Sequence, residues 1–538
     1  MLVDLASATI TWIYLTCALV LAIYALHAYA ILTVLLRHGR RAALVATELA
    51  GRGRENLATR PLPTGTPAAG HGTTGQLWPF VATQIPLYNE ANVAERVLRA
   101  VAAMHYPGRH LIQVLDDSTD ETIAIVDRVA ADLRTAGHDI DVVRRPTREG
   151  FKAGALAEGL RRTGAELIAV FDADFVPKAD FLLQTVPCFQ ADPRIGFVQG
   201  RWTFLNERDS VLTRAQGVGL DSHFAIEQAA RGAHPGMCIN FNGTAGVWRR
   251  QSIDEGGGWS AATLTEDLDL SYRVQLAGWR GLFLPHLEVP GELPATFSGF
   301  KSQQFRWAKG SMQTAVRLLP RLWRSTMPLS AKVEGSFHLT HYAVHPLLLL
   351  VILLGPLVWL SSGDQGRLPG LIGTLLLVAA FAPTVFYGVG QYRLHRDWPR
   401  RLLRLPALTL AGMGLAAANA RAIAEALLNR TSAFIRTPKS GDGARLRYSV
   451  RFPIPPWIEV VVGAHAAGGA LLAWQAGNAG AVTFGLLCAA SMFYIGLGSL
   501  AEIASNRRRQ RPDPRGGTET ANLPDTVAGT LPGPAKGN

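Results

Sequence analysis

Two carboxylates stand one residue apart at the end of an apolar run, in the stretch "ELIAVFDADFVP". Asp172 and Asp174 would project to the same side of an extended segment, because side chains alternate along a strand. No Lys or Arg is adjacent to them, so the pair could hold a hard divalent cation, Mg²⁺ or Mn²⁺, whose other ligands come from water and substrate phosphates. The alternative for an isolated pair of this kind is a solvated turn.

Further polar groups follow other apolar runs and could converge on the same place. Asp116 and Asp117 end the run "LIQVLDD", where an Asx turn is the structural alternative. Lys152 in "EGFKAGAL" could meet a phosphate, while Glu90 after "PLYN" and Asn242 in "FNGT" add a carboxylate and an amide. Each of these residues is a weak indication alone.

The stretch "TLTEDLDLSYRVQLAGW" predicts a helix start that carries two acidic residues. Thr265 is the expected cap, and Glu266 and Asp267 fall in the first turn. Acidic residues favour a helix N-terminus in any case, so the pattern has a complete structural explanation. The functional alternative makes Asp267 a general base that takes a proton from an attacking hydroxyl.

The stretch "FKSQQFRWAKGSM" predicts an amphipathic helix with two possible orientations. Phe297, Phe300 and Trp307 could lie on a membrane surface. Gln303, Arg306 and Trp307 could equally face a site, with Arg306 meeting a leaving diphosphate and Trp307 stacking on a sugar. Spacing alone does not choose between the two.

The elements that must position these residues alternate in type. Apolar runs of strand length are separated by segments of helical length, which predicts βαβ units and an α/β domain with a doubly wound, mostly parallel sheet. Sites in such sheets form at the carboxyl ends of strands, where "LDDS" and "FDAD" both fall. The predicted strands are 80–86, 111–117, 140–145, 166–174 and 195–200, and the predicted helices include 91–104, 121–136 and 178–190.

Uncharged apolar runs predict an integral protein of the cell (inner) membrane, with the α/β domain in the cytoplasm. The run after Asp4 is long enough to span a bilayer, and the arginines at positions 37, 40 and 41 favour a cytoplasmic location for the residues after it. The run 404–427 carries Arg421 and Glu425 and is predicted to lie in the membrane interface. Four further spans are predicted at about 338–361, 369–388, 455–475 and 480–501.

Composition excludes two classes of site. The chain has 538 residues, of which 48% are hydrophobic, and a formal net charge of +12. Its Lys and Arg clusters lie at membrane flanks, which argues against nucleic-acid binding. Its four cysteines lie far apart without CxxC spacing, so neither a disulfide framework nor a zinc site is predicted.

These patterns divide the chain into an anchor, a linker, an α/β domain, amphipathic helices, a membrane region and a tail. The linker and the tail are predicted from their Gly, Pro and Thr content, and the tail is expected to be basic and disordered. The predicted boundaries are 1–41, 42–78, 79–295, 296–335, 336–503 with a cytoplasmic loop at 428–452, and 504–538.

Five stretches in chain order resemble a family series: "LDDSTDET", "FDADFVP", "FNGTAGVWR", "TEDLDLSYR" and "QQFRW". They resemble the D, DxD, TED and QxxRW motifs of the membrane-embedded processive glycosyltransferases of family 2, the cellulose synthase superfamily. "QVLDDSTDET", "EGFKAGAL", "GELP" and "QQFRWAKG" are most similar to the plant cellulose-synthase-like A and C branch and its bacterial relatives, which make β-1,4-mannan, glucomannan or glucan backbones. The resemblance covers roughly residues 80–460.

The resemblance implies a fold, a reaction and ligands. The expected fold is of the GT-A type, fused to membrane helices. The expected reaction is inverting transfer from a nucleotide sugar, GDP-mannose or UDP-glucose, to a growing β-1,4-linked polysaccharide that is translocated across the lipid membrane, with Mg²⁺ or Mn²⁺ as cofactor.

The resemblance also implies a role for each matching residue. Asp267 is the expected catalytic base, and the metal is expected at Asp172 and Asp174. The nucleotide sugar is expected to contact Glu90, Asp117, Lys152 and Asp172. The acceptor and the diphosphate are expected to contact Glu266, Gln303, Arg306 and Trp307.

A later stretch, "FIRTPK", resembles the FxVTxK gating loop of cellulose synthases. Phe434, Thr437 and Lys439 match that pattern, whereas Arg436 replaces its Val. The match implies a cytoplasmic loop over the site. The tail has RxxxR spacing but too few following residues for a cyclic-di-GMP-binding barrel, so no such regulation within the chain is expected.

Two other functions compete with polysaccharide synthesis. A lipid glycosyltransferase of the ceramide type shares the DxD and QxxRW motifs but adds one sugar to a membrane acceptor. A transporter or membrane scaffold with a degenerate nucleotide-binding domain is the alternative from another class, and loss of nucleotide binding would favour it. The gating-loop match and the several predicted spans after QxxRW favour the polymerase over the lipid enzyme, and the intact acidic motifs argue against the transporter.

Overall fold

The computed structural model describes residues 2–59, 78–234, 236–361, 370–430, 439, 441 and 451–509. Its strands are β1 Val81–Leu87, β2 His110–Asp116, β3 Asp139–Val143, β4 Leu167–Val170, β5 Ile195–Phe204, β6 Gly246–Arg249 and β7 Arg280–Gly291. The helices that precede or accompany them are α1 Leu2–Thr59, α2 Ala94–Ala102, α3 Thr122–Thr135, α4 Phe151–Arg161, α5 Phe181–Ala191, α6 Val211–Ser222, a π-helix His223–Gln228, α7 Ala229–Ala233, α8 Arg250–Glu255 and α9 Glu266–Leu276.

The helices after the sheet include the long apolar segments of the chain. They are α10 Phe297–Arg324, α11 Leu329–Thr340, a 3₁₀ helix His341–Ala343, α12 Val344–Ser361, α13 Gly370–Leu394, α14 Trp398–Arg401, a 3₁₀ helix Leu402–Arg404, α15 Leu405–Gly414, α16 Ala416–Leu427, α17 Pro456–Gln475 and α18 Ala479–Arg509. The helix α10 is the predicted amphipathic segment.

The seven strands form one sheet in the order β3-β2-β1-β4-β6-β5-β7. All neighbouring pairs are parallel except those of β6, which is antiparallel to β4 and β5. Leu87 at the end of β1 pairs with Asp116 at the end of β2, so these carboxyl ends lie at one edge. The predicted α/β class with a mostly parallel sheet is confirmed.

Two apolar layers cover the faces of the sheet. Helices α2, α3 and α5 pack on one face with residues such as Val97, Val129 and Phe181. The other face buries Trp248 and Leu156, which belong to β6 and α4. Parallel strands buried on both faces need continuous apolar sequence, which explains why "VLD" and "LIAV" contain no alternation.

Helix α1 continues beyond the predicted anchor and crosses much of the predicted linker. Its last turns pack on α5, where Arg54 and Asn56 donate hydrogen bonds to the carbonyls of Leu183 and Gln190, at 3.5 and 3.1 Å. These contacts explain why residues 50–59, whose composition predicts a linker, are helical. Residues 60–77 lie outside the described part of the chain.

Four described helices are long and apolar enough to cross a membrane: Leu5–Gly39, Leu329–Leu360, Pro456–Gln475 and Ala479–Arg508. They correspond to four of the five predicted spans. The fifth predicted span is 369–388. Its backbone forms α13 from Gly370, while residue 369 and the side chains of 370–380 lie outside the described part of the chain. Helix α18 extends to Arg509, so the predicted tail begins as helix, and residues 510–538 are outside the described ranges.

The run predicted to lie in the interface is bent. Trp398–Gly414 and Ala416–Leu427 meet at 42°, a geometry of a broken span or a re-entrant loop. Its Glu425 accepts hydrogen bonds from Arg421 on the same helix and from Lys309 on α10, both at 2.8 Å. The pair Arg421 and Glu425, which argued against a simple membrane span, is therefore linked to the amphipathic helix α10. The location of this segment in the membrane interface stays a prediction.

Candidate functional site

One cleft at the carboxyl ends of the strands collects the polar motifs. The predicted site residues within the described part of the chain all line it, namely Glu90, Asp117, Lys152, Asp172, Asp174, Asn242, Glu266, Asp267, Gln303, Arg306, Trp307 and Lys439. They come from the ends of β1, β2 and β4, from the segment before β6, from α4, α9 and α10, and from the loop after α16. The sequence motifs, spread over about 350 positions, therefore meet at one place.

The two carboxylates of "FDAD" each contact a lysine from a distant segment. Lys152 Nζ lies 2.6 Å from Asp172 Oδ1, and Lys439 Nζ lies 2.7 Å from Asp174 Oδ2. The sequence supplies no adjacent positive charge, but the fold brings two. Asp174 is buried and also accepts a hydrogen bond from the Glu292 amide at 3.1 Å, whereas Asp172 is about one-third exposed in the cleft.

The donor set fits a divalent cation in part. Hard carboxylate oxygens suit Mg²⁺ or Mn²⁺, and two ammonium groups already balance the same two carboxylates in this structure. Among the described residues, no group of three or more His, Cys, Asp or Glu side chains is arranged to hold a metal ion. A cation at Asp172 and Asp174 would therefore need further oxygen ligands from a diphosphate and water.

Asp117 is fixed by an arginine. Arg145 Nε donates to Asp117 Oδ1 at 3.0 Å, and Arg145 Nη2 donates to Asp117 Oδ2 at 2.5 Å, a bidentate pair that sets the carboxylate's orientation. Next to it the Arg148 guanidinium stacks on the Tyr88 ring, 3.2 Å from the centroid. A flat aromatic and cationic surface beside an oriented carboxylate can receive a nucleobase.

Lys152 links three motifs at the centre of the cleft. Besides Asp172 it donates to the Gly243 carbonyl at 2.8 Å and lies 3.7 Å from Glu266. Burial alone would lower the pKa of Lys152, but the charges of Asp172 and Glu266 outweigh it and raise the pKa above its usual value. Lys152 is therefore a permanent ammonium beside the DxD carboxylates.

Asp267 is a cleft carboxyl whose pKa is raised toward neutrality. Burial is the main cause that raises its pKa to about 7, and the charge of Glu266 adds to it, while Lys152 opposes both. A pKa near the working pH maximises proton transfer in both directions. The left-handed backbone of Gly243, with φ of +81°, brings this turn so close that an added Cβ would lie 2.9 Å from Asp267 Oδ2.

Helix α10 turns its QxxRW residues into the cleft, so the inward orientation is the observed one for Gln303, Arg306 and Trp307. Burial lowers the pKa of Arg306, and the charges of Glu266, Asp172 and Asp267 oppose this shift. Gly310 lets α10 approach α9, because a Cβ there would lie 2.6–2.8 Å from Thr265 atoms. Phe297 packs on Tyr494 of α18 and Phe300 is buried, so neither is free for a membrane surface.

Part of the gating-like loop is described, and it docks on the cleft. The Lys439 carbonyl accepts a hydrogen bond from Asn92 Nδ2 at 3.1 Å, and the Gly441 amide donates to Glu292 Oε2 at 3.3 Å. Gly441 has φ of +62°, and a Cβ there would lie 2.4 Å from the Asn92 carbonyl. The predicted Phe434 and Thr437 lie outside the described residues.

Sequence reasoning missed several residues that build the cleft. Glu292 stands in the quoted "GELP" and also pairs with Arg96 at 2.5 Å. Tyr88 and Arg148 flank the motifs that carry Glu90 and Lys152. Only their positions next to motif residues indicated that they belong to the site, because stacking of an arginine on a tyrosine requires no fixed spacing in the sequence.

The family comparison agrees with this geometry. Residues 79–310 match the family model described as Glycosyltransferase like family 2. The chain is similar to glucomannan 4-beta-mannosyltransferase 9 of Arabidopsis thaliana, with 42% identity over 238 residues, 43% of this chain and 44% of that protein. It is also similar to probable glucomannan 4-beta-mannosyltransferase 6 of Oryza sativa subsp. japonica, with 44% identity over 240 residues, 43% of this chain and 41% of that protein.

These matches span less than half the length of the curated relatives. Among solved structures, mannosyltransferase PcManGT from Pyrobaculum calidifontis, in complex with GDP-Man and Mn²⁺, aligns with a TM-score of 0.47 and 20% identity. That alignment covers 76% of this chain and 99% of that chain.

Proposed function

We propose that this protein is an inverting β-glycosyltransferase that elongates a β-1,4-linked polysaccharide from a nucleotide sugar. The observation that carries the proposal is Asp267, a carboxylate with a pKa of about 7, in the same cleft as the DxD carboxylates and the QxxRW residues. The names of the curated relatives favour mannose as the sugar and GDP-mannose as its donor, with UDP-glucose as the alternative.

The chemistry is a single displacement at the anomeric carbon. An acceptor hydroxyl oxygen attacks that carbon while Asp267 takes the hydroxyl proton, and the bond from the carbon to the diphosphate oxygen breaks. The leaving diphosphate carries away the electron pair. Attack from the opposite face inverts an α-linked donor into a β-linked product.

The positive groups of the cleft stabilise the charge that develops on the diphosphate. Lys152 and Arg306 are fixed before the donor arrives, so no reorganisation is needed at the moment of reaction. Asp172 and Asp174 are the residues that would hold Mg²⁺ or Mn²⁺, which supplies Lewis-acid stabilisation of the leaving group. Arg148 and Tyr88 receive the base beside Asp117, and Trp307 stacks on the acceptor sugar.

The membrane helices support a polymerase that feeds its product across the bilayer. Four described helices have the length and hydropathy of membrane spans, and α10 connects the cleft directly to them. We propose that the catalytic domain lies on the cytoplasmic face of the cell membrane and that the growing glycan leaves through the helical region.

The test is sugar incorporation by the purified protein in lipid vesicles, with radiolabelled GDP-mannose or UDP-glucose and with Mg²⁺ or Mn²⁺. Products are sized and digested with linkage-specific β-mannanase and β-glucanase. A long β-1,4 polymer from one donor is the expected result. A single sugar on lipid would favour the ceramide-type alternative, and no transfer from any nucleotide sugar would contradict the enzymatic proposal.

A further inference from the structure

A continuous series of hydrogen-bonded polar side chains joins helix α1 to the cleft. It begins within the apolar stretch Leu5–Gly39 of α1, and it ends at Asn242, which lines the cleft. Polar groups within apolar helices are costly unless they are paired, so such a series points to a function. We call it the anchor network; its members are His27, Glu334, Arg231, Glu227, His223 and Asn242.

At the cleft, the π-helix holds the Asn242 side chain at both ends. Gln228 Nε2 donates to the Asn240 carbonyl at 2.6 Å and to Asn242 Oδ1 at 2.8 Å. Because a backbone carbonyl can only accept, the first bond fixes the orientation of the Gln228 amide, and the second then fixes that of Asn242. Asn242 Nδ2 is therefore the atom that faces His223 Nε2, at 3.1 Å.

The next links follow from the orientation of Asn242. An amide nitrogen can only donate, so His223 Nε2 is the acceptor and the ring proton is on Nδ1. His223 Nδ1 donates to Glu227 Oε2 at 2.8 Å, and Arg231 Nη2 donates to the same oxygen at 3.4 Å. Each group thus holds the next in one orientation.

The far end of the anchor network lies on α1 and α11. Arg231 Nε donates to Glu334 Oε1 at 2.8 Å, and His27 Nε2 donates to Glu334 Oε2 at 2.5 Å. The side chains of Arg231 and Glu334 are only 3% and 5% accessible, so loss of either would leave a buried charge unpaired. His27 can be changed without that cost, because Arg231 still pairs with Glu334.

Apolar packing supports the same connection. Ile31 and Leu35 of α1 belong to one buried cluster with Ile226 of the π-helix and Ala230 of α7. π-Helical turns are rare and are frequent at functional sites. Helix α1 therefore contacts the π-helix directly, and the anchor network continues that contact to the cleft.

The residue after Asn242 contacts the groups that act in transfer. The Gly243 carbonyl accepts a hydrogen bond from Lys152 at 2.8 Å, and Gly243 lies so close to Asp267 that no Cβ fits between them. A shift of this turn would move Lys152 and alter the surroundings of Asp267. Small displacements of positioned groups are costly in rate.

We propose that the anchor network positions the turn Asn242–Gly243 for sugar transfer, so that His27 of α1 is a positioning residue of the active site. This inference rests on the proposed function. It gives α1 a part in transfer beyond that of a membrane span. The base of the donor is received elsewhere, at Tyr88 and Arg148, so donor binding does not depend on the network.

The test compares two variants of α1 in the full-length protein in lipid nanodiscs. His27→Phe keeps a ring against Phe337, on which His27 stacks at 4.3 Å, but lacks the N–H that bonds to Glu334. Tyr24→Phe is the matched control, because the Tyr24 ring also contacts Phe337 and its hydroxyl bonds to Thr340 at 2.7 Å. Each variant loses one hydrogen bond between α1 and α11, but only His27 belongs to the anchor network.

Transfer is measured with radiolabelled GDP-mannose, or with UDP-glucose if that is the donor used. It is expressed per nucleotide-binding site, counted by calorimetry with GDP or UDP. His27→Phe is expected to lower kcat about 10-fold at an unchanged KM for the donor, whereas Tyr24→Phe keeps kcat. His27→Gln, which restores an N–H donor, is expected to recover most of the loss. A general loss of stability would reduce the number of binding sites without lowering kcat per site.

Hydrogen exchange of the backbone amides at 239–245 tests the positioning without any transfer. In His27→Phe these amides are expected to exchange several-fold faster, while the rest of the α/β domain and the Tyr24→Phe protein stay as in the unaltered protein. Equal kcat and equal exchange in the two variants would overturn the inference. If the unaltered protein transferred no sugar, the proposed function would fail, and the exchange comparison would still decide whether the anchor network holds the turn.

Discussion

Lys439 Nζ lies 2.7 Å from Asp174 Oδ2, so a residue of the gating-like loop occupies one carboxylate of the DxD pair. An ammonium and a divalent cation compete for the same oxygen, because each neutralises its charge. Lys439→Gln is therefore expected to raise the affinity of the nucleotide-free protein for Mn²⁺ several-fold. Electron paramagnetic resonance of free Mn²⁺ measures this affinity directly.

The control for this substitution is Lys178→Gln, which removes an exposed lysine paired with Glu288 at 3.4 Å. Surface pairs of this kind contribute little, so Mn²⁺ affinity should not change. Weaker or unchanged Mn²⁺ binding in the Lys439 variant would mean that Lys439 does not compete with a metal at Asp174.

The pH dependence of transfer should report the ionisation of Asp267. Its pKa is raised to about 7, and a general base must be deprotonated, so kcat/KM is expected to fall as the pH is lowered through about 7. Glu266→Gln removes a charge that raises this pKa. In the pH profile of that variant's residual activity, the fall on the acid side should therefore occur at lower pH. If the acid-side fall of the Glu266→Gln profile stayed at the same pH, the titrating group would be a residue other than Asp267.

The approach of α10 to α9 should be needed for activity. Gly310→Ala places a Cβ 2.6 Å from Thr265 Cγ2 and 2.8 Å from its backbone nitrogen, which pushes the QxxRW helix away from the helix of Asp267. We expect a loss of kcat/KM of about 10-fold or more, since small displacements of positioned groups are costly.

Gly412→Ala is the matched control for Gly310, because a Cβ at Gly412 meets nothing within 4 Å. It should keep full activity and gain up to about 1 kcal/mol of helix stability. If both variants had the same activity, the packing of α10 on Thr265 would not position the site.

The contact between α1 and α5 should contribute to stability. A Cβ at Gly53 would lie 1.8 Å from the Pro187 carbonyl oxygen, whereas one at Gly51 meets nothing within 4 Å. Gly53→Ala should lower the free energy of unfolding by about 1–3 kcal/mol, the usual cost of overpacking. Thermal unfolding in detergent checks this, and Gly51→Ala should unfold at or above the original temperature; equal melting of the two variants would contradict the packing.

The elements before residue 200 can be predicted from the sequence because each strand is a continuous apolar run between helical segments. Strand β6 was missed because it has only four residues and runs antiparallel, and β7 was missed because Pro285 interrupts its pattern. The helical end of α1 has the composition of a linker, since its stability comes from contacts with α5 that no local pattern records.

The motifs that form the site can be predicted from the sequence, but the ion pairs between their side chains cannot. The acidic motifs and QxxRW carry their own spacing, so Asp172, Asp267 and Arg306 could be selected from the sequence and are found in one cleft. The lysine partner of Asp174 is 265 positions away in the sequence, so their contact can be recognised only in the folded structure. Roles for these residues remain predictions that the variants test.

The most direct test of the central claim is the effect of Asp267→Asn on transfer. The asparagine keeps the shape of the side chain but cannot accept the acceptor proton. We predict a fall in kcat of about 10²–10⁴-fold with donor binding retained, while Asp254→Asn, at an exposed aspartate paired with Arg250, keeps full activity. Near-normal transfer by the Asp267 variant would contradict the assignment of the base and, with it, the mechanism.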